Sequence, residues 1–298
     1  MRSHIDTTIE IDGGWGEGGG QILRTALTLS CVLARPFRIF NIRKNRREPG
    51  LKPQHLASIK AASAITGAKT LGAHIGSGDL AFGPGMIRPG AFSFDVAEER
   101  GSAGSALLVF QTISIPLLFA ETPSKVTVRG GTHVPWAPIA DYISEVYLPA
   151  LCRFGGRVDF KCPLAGFYPI GGGVVEWRGE PSGALSPVTI LDRGELLRLT
   201  ITSSVSNLPD EIAGRQLKSA SERLKGYPVE GRVISTPSPG RGTFLFILAE
   251  FENARAGFSA LGARGKRAEA VGVEATEAFL KYMRGGGAVD GHLSDQLL

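Results

Sequence analysis

Polar and apolar residues alternate over residues 7–11, the period of a strand with one buried face. A glycine run then leads into apolar positions spaced three and four apart over 21–33. A strand over 37–43 follows, then a helix over 54–65 and two short strands around 70–75 and 79–82, parted by Gly-Ser-Gly. The same order recurs. A glycine loop at 101–105 precedes a buried helix reaching Ala120, a strand at 125–129, a helix over 139–154 and strands at 156–160 and 173–177. Matching elements lie about 85 residues apart, which predicts an internally repeated α/β unit of βαβαββ type. A third copy is partial: residues 269–283 are strongly helical, and a new helix is predicted near His292 with Asp295 in its first turn, where an acid suits the helix dipole.

Between the copies the pattern changes. Residues 185–262, bounded by Pro181-Ser-Gly and Gly262, read as an inserted β-α-β-β domain, with strands at 195–202, 232–235 and 243–251 and a helix at 209–224. Residues 1–184 and 263–298 then form the main domain, an α/β (α+β) fold with its third repeat incomplete. The Pro-Ser-Pro-Gly-Arg-Gly loop at 237–242 is the expected mobile element.

Composition narrows the class. The chain has 298 residues, 43% hydrophobic and 20% charged, enough to bury a core in each of two domains. Its three cysteines, Cys31, Cys152 and Cys162, lack metal-ligand spacing and fit reduced thiols in a cytoplasmic protein. The N-terminus has no apolar signal core, and the apolar stretch 103–120 is broken by Gln111, Thr112, Ser114 and Pro116, so a buried helix is expected and no membrane partner. A net charge of +5 leans toward a polyanionic partner, and Arg43, Lys44, Arg46 and Arg47 crowd beside Pro49-Gly50. Such a run is either a solvated loop or a phosphate-binding one.

Gly14-Trp-Gly-Glu-Gly-Gly19 satisfies the dinucleotide-binding G-x-G-x-x-G spacing between a strand and a helix. The first strand alternates instead of being apolar on both faces, and no acid ends the next strand to hold a ribose. Arg43 could serve a 2′-phosphate, which keeps an NADP-dependent oxidoreductase as a distant alternative. Without Gly-Lys-Ser/Thr it is not a Walker loop. Glu17 sits inside the glycine loop, where a carboxylate near phosphates calls for an intervening cation; it is a candidate Mg²⁺ ligand, or a solvated acid.

The run from Asp12 through Gly-Gly-Trp-Gly-Glu-Gly-Gly-Gly-Gln-Ile-Leu to Arg24, followed by Asn41-Ile-Arg43, Arg46, Pro49-Gly-Leu51 and Gln54-His55, resembles the opening of the RNA 3′-terminal phosphate cyclases. Further motifs match in order: Gly101-Ser-Ala-Gly-Ser, Leu107 to Thr112, Gly130-Gly-Thr-His-Val-Pro-Trp-Ala-Pro138, Gly166-Phe-Tyr-Pro-Ile-Gly-Gly-Gly-Val-Val175 and His292-Leu-Ser-Asp-Gln-Leu-Leu298. The resemblance spans essentially the whole chain and implies repeated α/β units with a smaller inserted domain. It also implies an ATP-dependent reaction in which a histidine is adenylated, AMP passes to the RNA 3′-phosphate, and the 2′-hydroxyl displaces AMP to leave a 2′,3′-cyclic phosphodiester. Carried over by position, Glu17 would hold Mg²⁺ or Mn²⁺, while Arg24, Arg43, Arg46 and Gln54 would contact phosphates. Gln111, His292, Leu293, Ser294, Asp295 and Gln296 would bind ATP. His292 belongs to the nucleotide wall in this resemblance. The family's nucleophilic histidine falls in a later segment, so no catalytic residue is assigned and the chain is expected to be inactive as it stands. The alternative is a non-catalytic cyclase-like protein for RNA binding or ribosome assembly.

Overall fold

The computed structural model describes residues 8–16, 18–97 and 103–297. They build a mixed α/β fold with three four-stranded sheets, in two compact units. The first unit is Met1–Gly130, Arg157–Asp159 and Glu176–Ala184; the second is Gly131–Gly156, Phe160–Val175 and Leu185–Leu298.

In the first unit, β1 (Ile9–Asp12) runs parallel to β2 (Phe37–Phe40), in register from Ile9 against Phe37 to Asp12 against Phe40. The connection is α1 (Gly20–Leu33), which buries Leu23, Ala26, Leu27, Ser30 and Cys31 on one face. Ala34, left-handed at φ 51°, ends it by donating its N–H to Ser30 O. After α2 (Pro53–Thr66), the short strands β3 (Lys69–Leu71) and β4 (Leu80–Gly83) return antiparallel, giving the order β1-β2-β4-β3. Leu27, Phe37, Ile39, Ile59, Leu80 and Phe82 close the core between helices and sheet.

The next elements repeat this plan. Strand β5 (Ala91–Asp95) pairs parallel with β6 (Ser124–Gly130), and with β7 (Arg157–Leu164) and β8 (Gly173–Glu180) the order is β5-β6-β8-β7. First, second, fourth, third is the order of the first sheet too, so the internal repeat read from the sequence is present in the topology. Helix α3 (Ala106–Leu117) connects β5 and β6, and every residue in it except Gln111 and Ile115 is buried. Phe110 meets Trp177 edge-on, and the Thr28 hydroxyl of α1 donates to Thr112 O. Among the described residues no helix is long and apolar enough to cross a membrane.

The second unit holds α4 (Ala140–Tyr142), which passes through a π turn at Ile143–Tyr147 into α5 (Leu148–Arg153). Its sheet is built from β9 (Leu196–Ser206), β10 (Val229–Ser235), β11 (Gly242–Phe251) and β12 (Arg255–Leu261), in the order β10-β9-β11-β12. Helix α6 (Asp210–Arg223) crosses from β9 to parallel β10, and α7 (Ala268–Arg284) packs beside it. A Cβ on Gly272 would lie 2.6 Å from Gln216 O, so the two helices approach at a point where no side chain fits. Gln216 itself is buried but satisfied, accepting from Ser203 Oγ and donating to Thr243 Oγ1. Leu245, Ile247, Phe258 and Phe279 fill the space under the helices. The chain ends in α8 (Gly291–Leu297).

Several details differ from the sequence reading. Strand β2 stops at Phe40 because Asn41 and Arg43 take left-handed backbone angles of φ 55°. Strands β5 and β12 were not anticipated. Asp295 lies beyond the first turn of α8, which holds no acidic residue. Asp290 caps that helix, its Oδ1 accepting from the N–H groups of His292 and Leu293 at 3.0 Å each. The 237–242 loop is pinned: Asn207 Nδ2 donates to Ser238 O and Gly240 O, and Ala165 N–H donates to Pro237 O.

Phe279 is fully buried against Tyr227 and Phe258. Phe279→Ala is expected to lower unfolding free energy by about 3–5 kcal/mol, read as a shift of the urea midpoint at unchanged slope.

Candidate functional site

The glycine loop after β1 is shaped by its own hydrogen bonds. Gly13 N–H donates to Phe40 O, and Asp12 Oδ1 accepts from Gly14 N–H at 2.9 Å and from Asn41 Nδ2 at 3.1 Å. The Gly14 bond first, and Asn41 second, hold the Asp12 carboxyl below its ordinary pKa, so the loop is fastened by an ionised acid. Gly16 and Gly18 adopt φ of 58° and 59°, which glycine reaches without strain. The loop delivers the chain to α1 at Gly19, where no side chain caps the helix and no acid stands in the first turn. Free N–H groups and the positive end of the helix dipole therefore face outward from that turn.

Basic side chains gather at the same place. A Cβ on Gly20 would sit 2.3 Å from His55 Nε2 and 2.9 Å from Arg24 Nη1, and a Cβ on Gly19 would sit 3.5 Å from Arg46 Nη2. Arg24 is partly buried and finds Gln21 Oε1 at 2.8 Å, but pairs with no carboxylate among the described residues; burial lowers its pKa to about 10. Arg43 donates Nη1 to Glu48 O and Gly50 O, and burial followed by its neighbour Arg46 lowers its pKa. Its guanidinium thereby ties down the turn between β2 and α2.

His55 is 2% exposed, in the first turn of α2, and its Nδ1 accepts the Lys52 N–H at 3.0 Å. That bond assigns the remaining proton to Nε2, the atom next to Gly20 and the Arg24 side chain. Burial, then Arg24, Arg43 and Lys52, push its pKa down to about 3. Gln54 precedes it, partly exposed in the same first turn. Arg24, Arg43, Arg46 and His55 are thus brought together around one uncapped helix start, a surrounding that suits a multiply charged oxyanion. Gln111, on α3, has a buried Nε2 with no hydrogen-bond partner among the described residues, an unsatisfied donor of the kind a ligand completes. Glu17 lies outside the described residues. Among those described, no group of three or more His, Cys, Asp or Glu could hold a metal; Mg²⁺ bound through one carboxylate plus substrate phosphates does not require one.

In the second unit, His292, Leu293, Ser294, Asp295 and Gln296 form most of α8. Leu293 is buried, His292 and Asp295 are exposed, and Gln296 Oε1 is a buried acceptor without a partner among the described residues. The segment hangs on Asp290, which is 3% exposed and also accepts the Tyr142 hydroxyl at 2.9 Å. Burial and the Asp290 carboxylate raise the Tyr142 pKa, so that hydroxyl stays a donor. Arg193 secures the turn before it, donating to the carbonyls of Tyr282, Met283 and Gly287 while lying over the Tyr282 ring. Asp290 was missed in the sequence although an acid two residues before a helix-forming His-Leu-Ser is a capping signature. His133, in the same unit, has both nitrogens engaged, by Thr132 Oγ1 at 2.8 Å and Asp141 Oδ2 at 3.0 Å, and is stacked on Phe244.

The depressed His55 pKa has a signed consequence. Unfolded imidazole takes up a proton near pH 6.5 and the folded group only near pH 3, so the unfolded chain gains protons first and stability falls as pH drops through this window. His55→Asn is expected to flatten that part of the stability profile and leave the slope above about pH 7 unchanged, as checked by urea unfolding across pH.

Comparison with known proteins identifies the family. The profile of the family described as RNA 3′-terminal phosphate cyclase matches residues 15–298. The RNA 3′-terminal phosphate cyclase of Archaeoglobus fulgidus is 44% identical over 97% of this chain and 86% of its own length. Those of Ignicoccus hospitalis and Methylococcus capsulatus are 41% and 42% identical, over 97% and 98% of this chain and 83% and 82% of their own. Matches of this length and identity mean that the chain belongs to the RNA 3′-terminal phosphate cyclase family.

Proposed function

We propose that this protein serves ATP-dependent conversion of an RNA 3′-terminal phosphate into a 2′,3′-cyclic phosphodiester, with the cluster around Gly19 and Gly20 receiving phosphate. The observation that carries the reading is Arg24: a partly buried guanidinium beside a neutral, buried histidine, at an uncapped helix start, with no carboxylate among the described residues to neutralise it. A lone cation held this way is retained at a cost unless an anion completes it. Arg46 and the first-turn N–H groups of α1 add donors for the remaining phosphate oxygens, and Gln54 extends the set. Arg43, already bonded to two carbonyls, contributes charge and fixes the turn.

For the chemistry, AMP would be transferred from ATP to a histidine with release of pyrophosphate, then to the RNA 3′-phosphate. Attack of the neighbouring 2′-hydroxyl oxygen on the 3′-phosphorus would form the ring and expel AMP, and the hydroxyl proton would be lost. Each step leaves negative charge on phosphate oxygens, which fixed cations stabilise most where charge accumulates. A divalent cation held with Glu17 would supply further neutralisation of that charge. Gln111 and the run from His292 to Gln296 are read, each by itself, as ATP-contacting groups; among the described residues the buried Gln111 Nε2 and Gln296 Oε1 have no partner, which supports this.

A second reading, an RNA-binding relative that does not cyclise, is favoured by the state of the two buried histidines. His133 has both nitrogens bonded, and His55 is buried with Nδ1 occupied and its Nε2 protonated. Neither offers a lone pair to ATP.

Two measurements separate these readings. Arg24→Ala is expected to weaken binding of an oligoribonucleotide ending in a 3′-phosphate by roughly 10- to 100-fold while leaving its 3′-hydroxyl counterpart nearly unchanged. An equal effect on both ends would remove Arg24 from phosphate recognition. Incubated with ATP labelled at the α-phosphate, a cyclising protein is expected to carry an acid-labile adenylate and a binding-only relative none; label that disappears in His292→Ala would make His292 the nucleophile.

A further inference from the structure

The second unit carries a groove that the phosphate cluster does not use. It has a volume of about 410 Å³ and is walled by Tyr168, Pro169 and Ile170 on one side and Pro239, Gly240 and Arg241 on the other, with Asn207 beside it. That volume falls in the range of about 300–1,000 Å³ typical of small-ligand sites. Apolar groups stand open there: Tyr168 is 68% and Ile170 60% exposed. Leaving such surface in water is unfavourable, and a contiguous exposed patch marks a contact site more often than chance.

The walls are held in place before any ligand arrives. Phe167 packs so closely on Gly242 that a Cβ there would lie 2.1 Å from its ring, and Gly171 N–H donates to Phe167 O at 2.7 Å. Opposite, the 237–242 loop is fixed by the two bonds from Asn207 Nδ2, which leave the amide oxygen of that residue as an acceptor. A Cβ on Gly240 would touch Ile170 at 3.4 Å, so the two walls meet at their base. Preorganised walls lose little conformational freedom on binding.

The chemistry of the lining selects the occupant. None of the lining residues is acidic, and the Arg241 guanidinium and Tyr168 hydroxyl have no partner among the described residues. An exposed ring beside an unpaired guanidinium, with no carboxylate in the lining, is the means by which proteins hold unstacked bases and the phosphates joining them. The geometry points to this groove as a subsite for an unpaired nucleobase of the RNA strand, with Tyr168 stacking on the base and Arg241 contacting its face or the adjoining phosphate. The assignment rests on the reading that the protein acts on RNA, but not on which residues receive the terminal phosphate.

The test uses a single-stranded oligoribonucleotide of about ten nucleotides, labelled at its 5′ end, with its affinity measured by fluorescence polarisation. Tyr168→Ala and Arg241→Ala are each expected to weaken binding about tenfold, and Tyr168→Phe to retain it. The loss should be the same for 3′-hydroxyl and 3′-phosphate ends, because the groove reads a base. Oligonucleotide carrying 5-bromouridine should photo-crosslink to Tyr168. If Arg24→Ala fails to discriminate the two ends while Tyr168→Ala still weakens binding, terminal phosphate recognition falls and the groove stands. Unchanged RNA affinity in both alanine variants overturns the proposal, including the case where the groove serves a protein partner. So does an equal loss on duplex RNA, which would reduce the effect to charge alone.

Discussion

The first turn of α1 can approach α2 only because residue 20 has no side chain: any Cβ there would meet the imidazole of His55 at 2.3 Å. From this contact the electrostatics of the first unit follow. His55 is sealed from water and held neutral, Arg24 runs past it with no counter-ion among the described residues, and Arg46 reaches Gly19 from the turn after β2. Burial first, and then the repulsion of neighbouring cations, lowers both the His55 and the Arg43 pKa. The arrangement is unfavourable by itself and favourable around an anion, so the same glycine that permits the packing also prepares the chemistry.

The repeat explains how such a cluster is positioned. Two sheets share the strand order first, second, fourth, third, and each parallel pair is linked by a helix that starts after a glycine loop. Their helices nevertheless meet different surroundings. Helix α1 buries one face and leaves its first turn open, whereas α3 is buried nearly all round, with the Ser105 hydroxyl accepting from Leu108 N–H at its start. One copy of the unit therefore offers an uncapped helix start and the other a packed centre. Gln111 is one of the two residues of α3 that are not fully buried, so its amide is the polar group this centre has to offer.

In the second unit a single carboxylate organises the end of the chain. Asp290 joins Tyr142 to the first turn of α8, and Arg193 clamps the turn preceding it. A buried carboxylate with four donors around it, the last being Gly257 N–H at 3.4 Å, is satisfied and directional. It sets where His292 to Gln296 stand.

By itself the sequence determined the helices, most strands, the βαβαββ repeat and the family, because these rest on periodicity and on ordered motifs that are local properties of the chain. Strand β5 is legible in the alternation of Phe92-Ser-Phe94, while β12 is masked by Gly257, a weak strand former that is needed because Tyr142 lies 2.7 Å from where its Cβ would be. The basic loop was visible as charge, but its meaning was not: Arg43 spends its donors on Glu48 and Gly50, and Arg24 stands beside a histidine 31 positions away in the chain. Only the tertiary structure decided which cations remain uncompensated, which histidines keep a free nitrogen, and that Asp290 instead of Asp295 caps α8. Burial and long-range proximity set those outcomes, and neither is written in the order of residues along one segment.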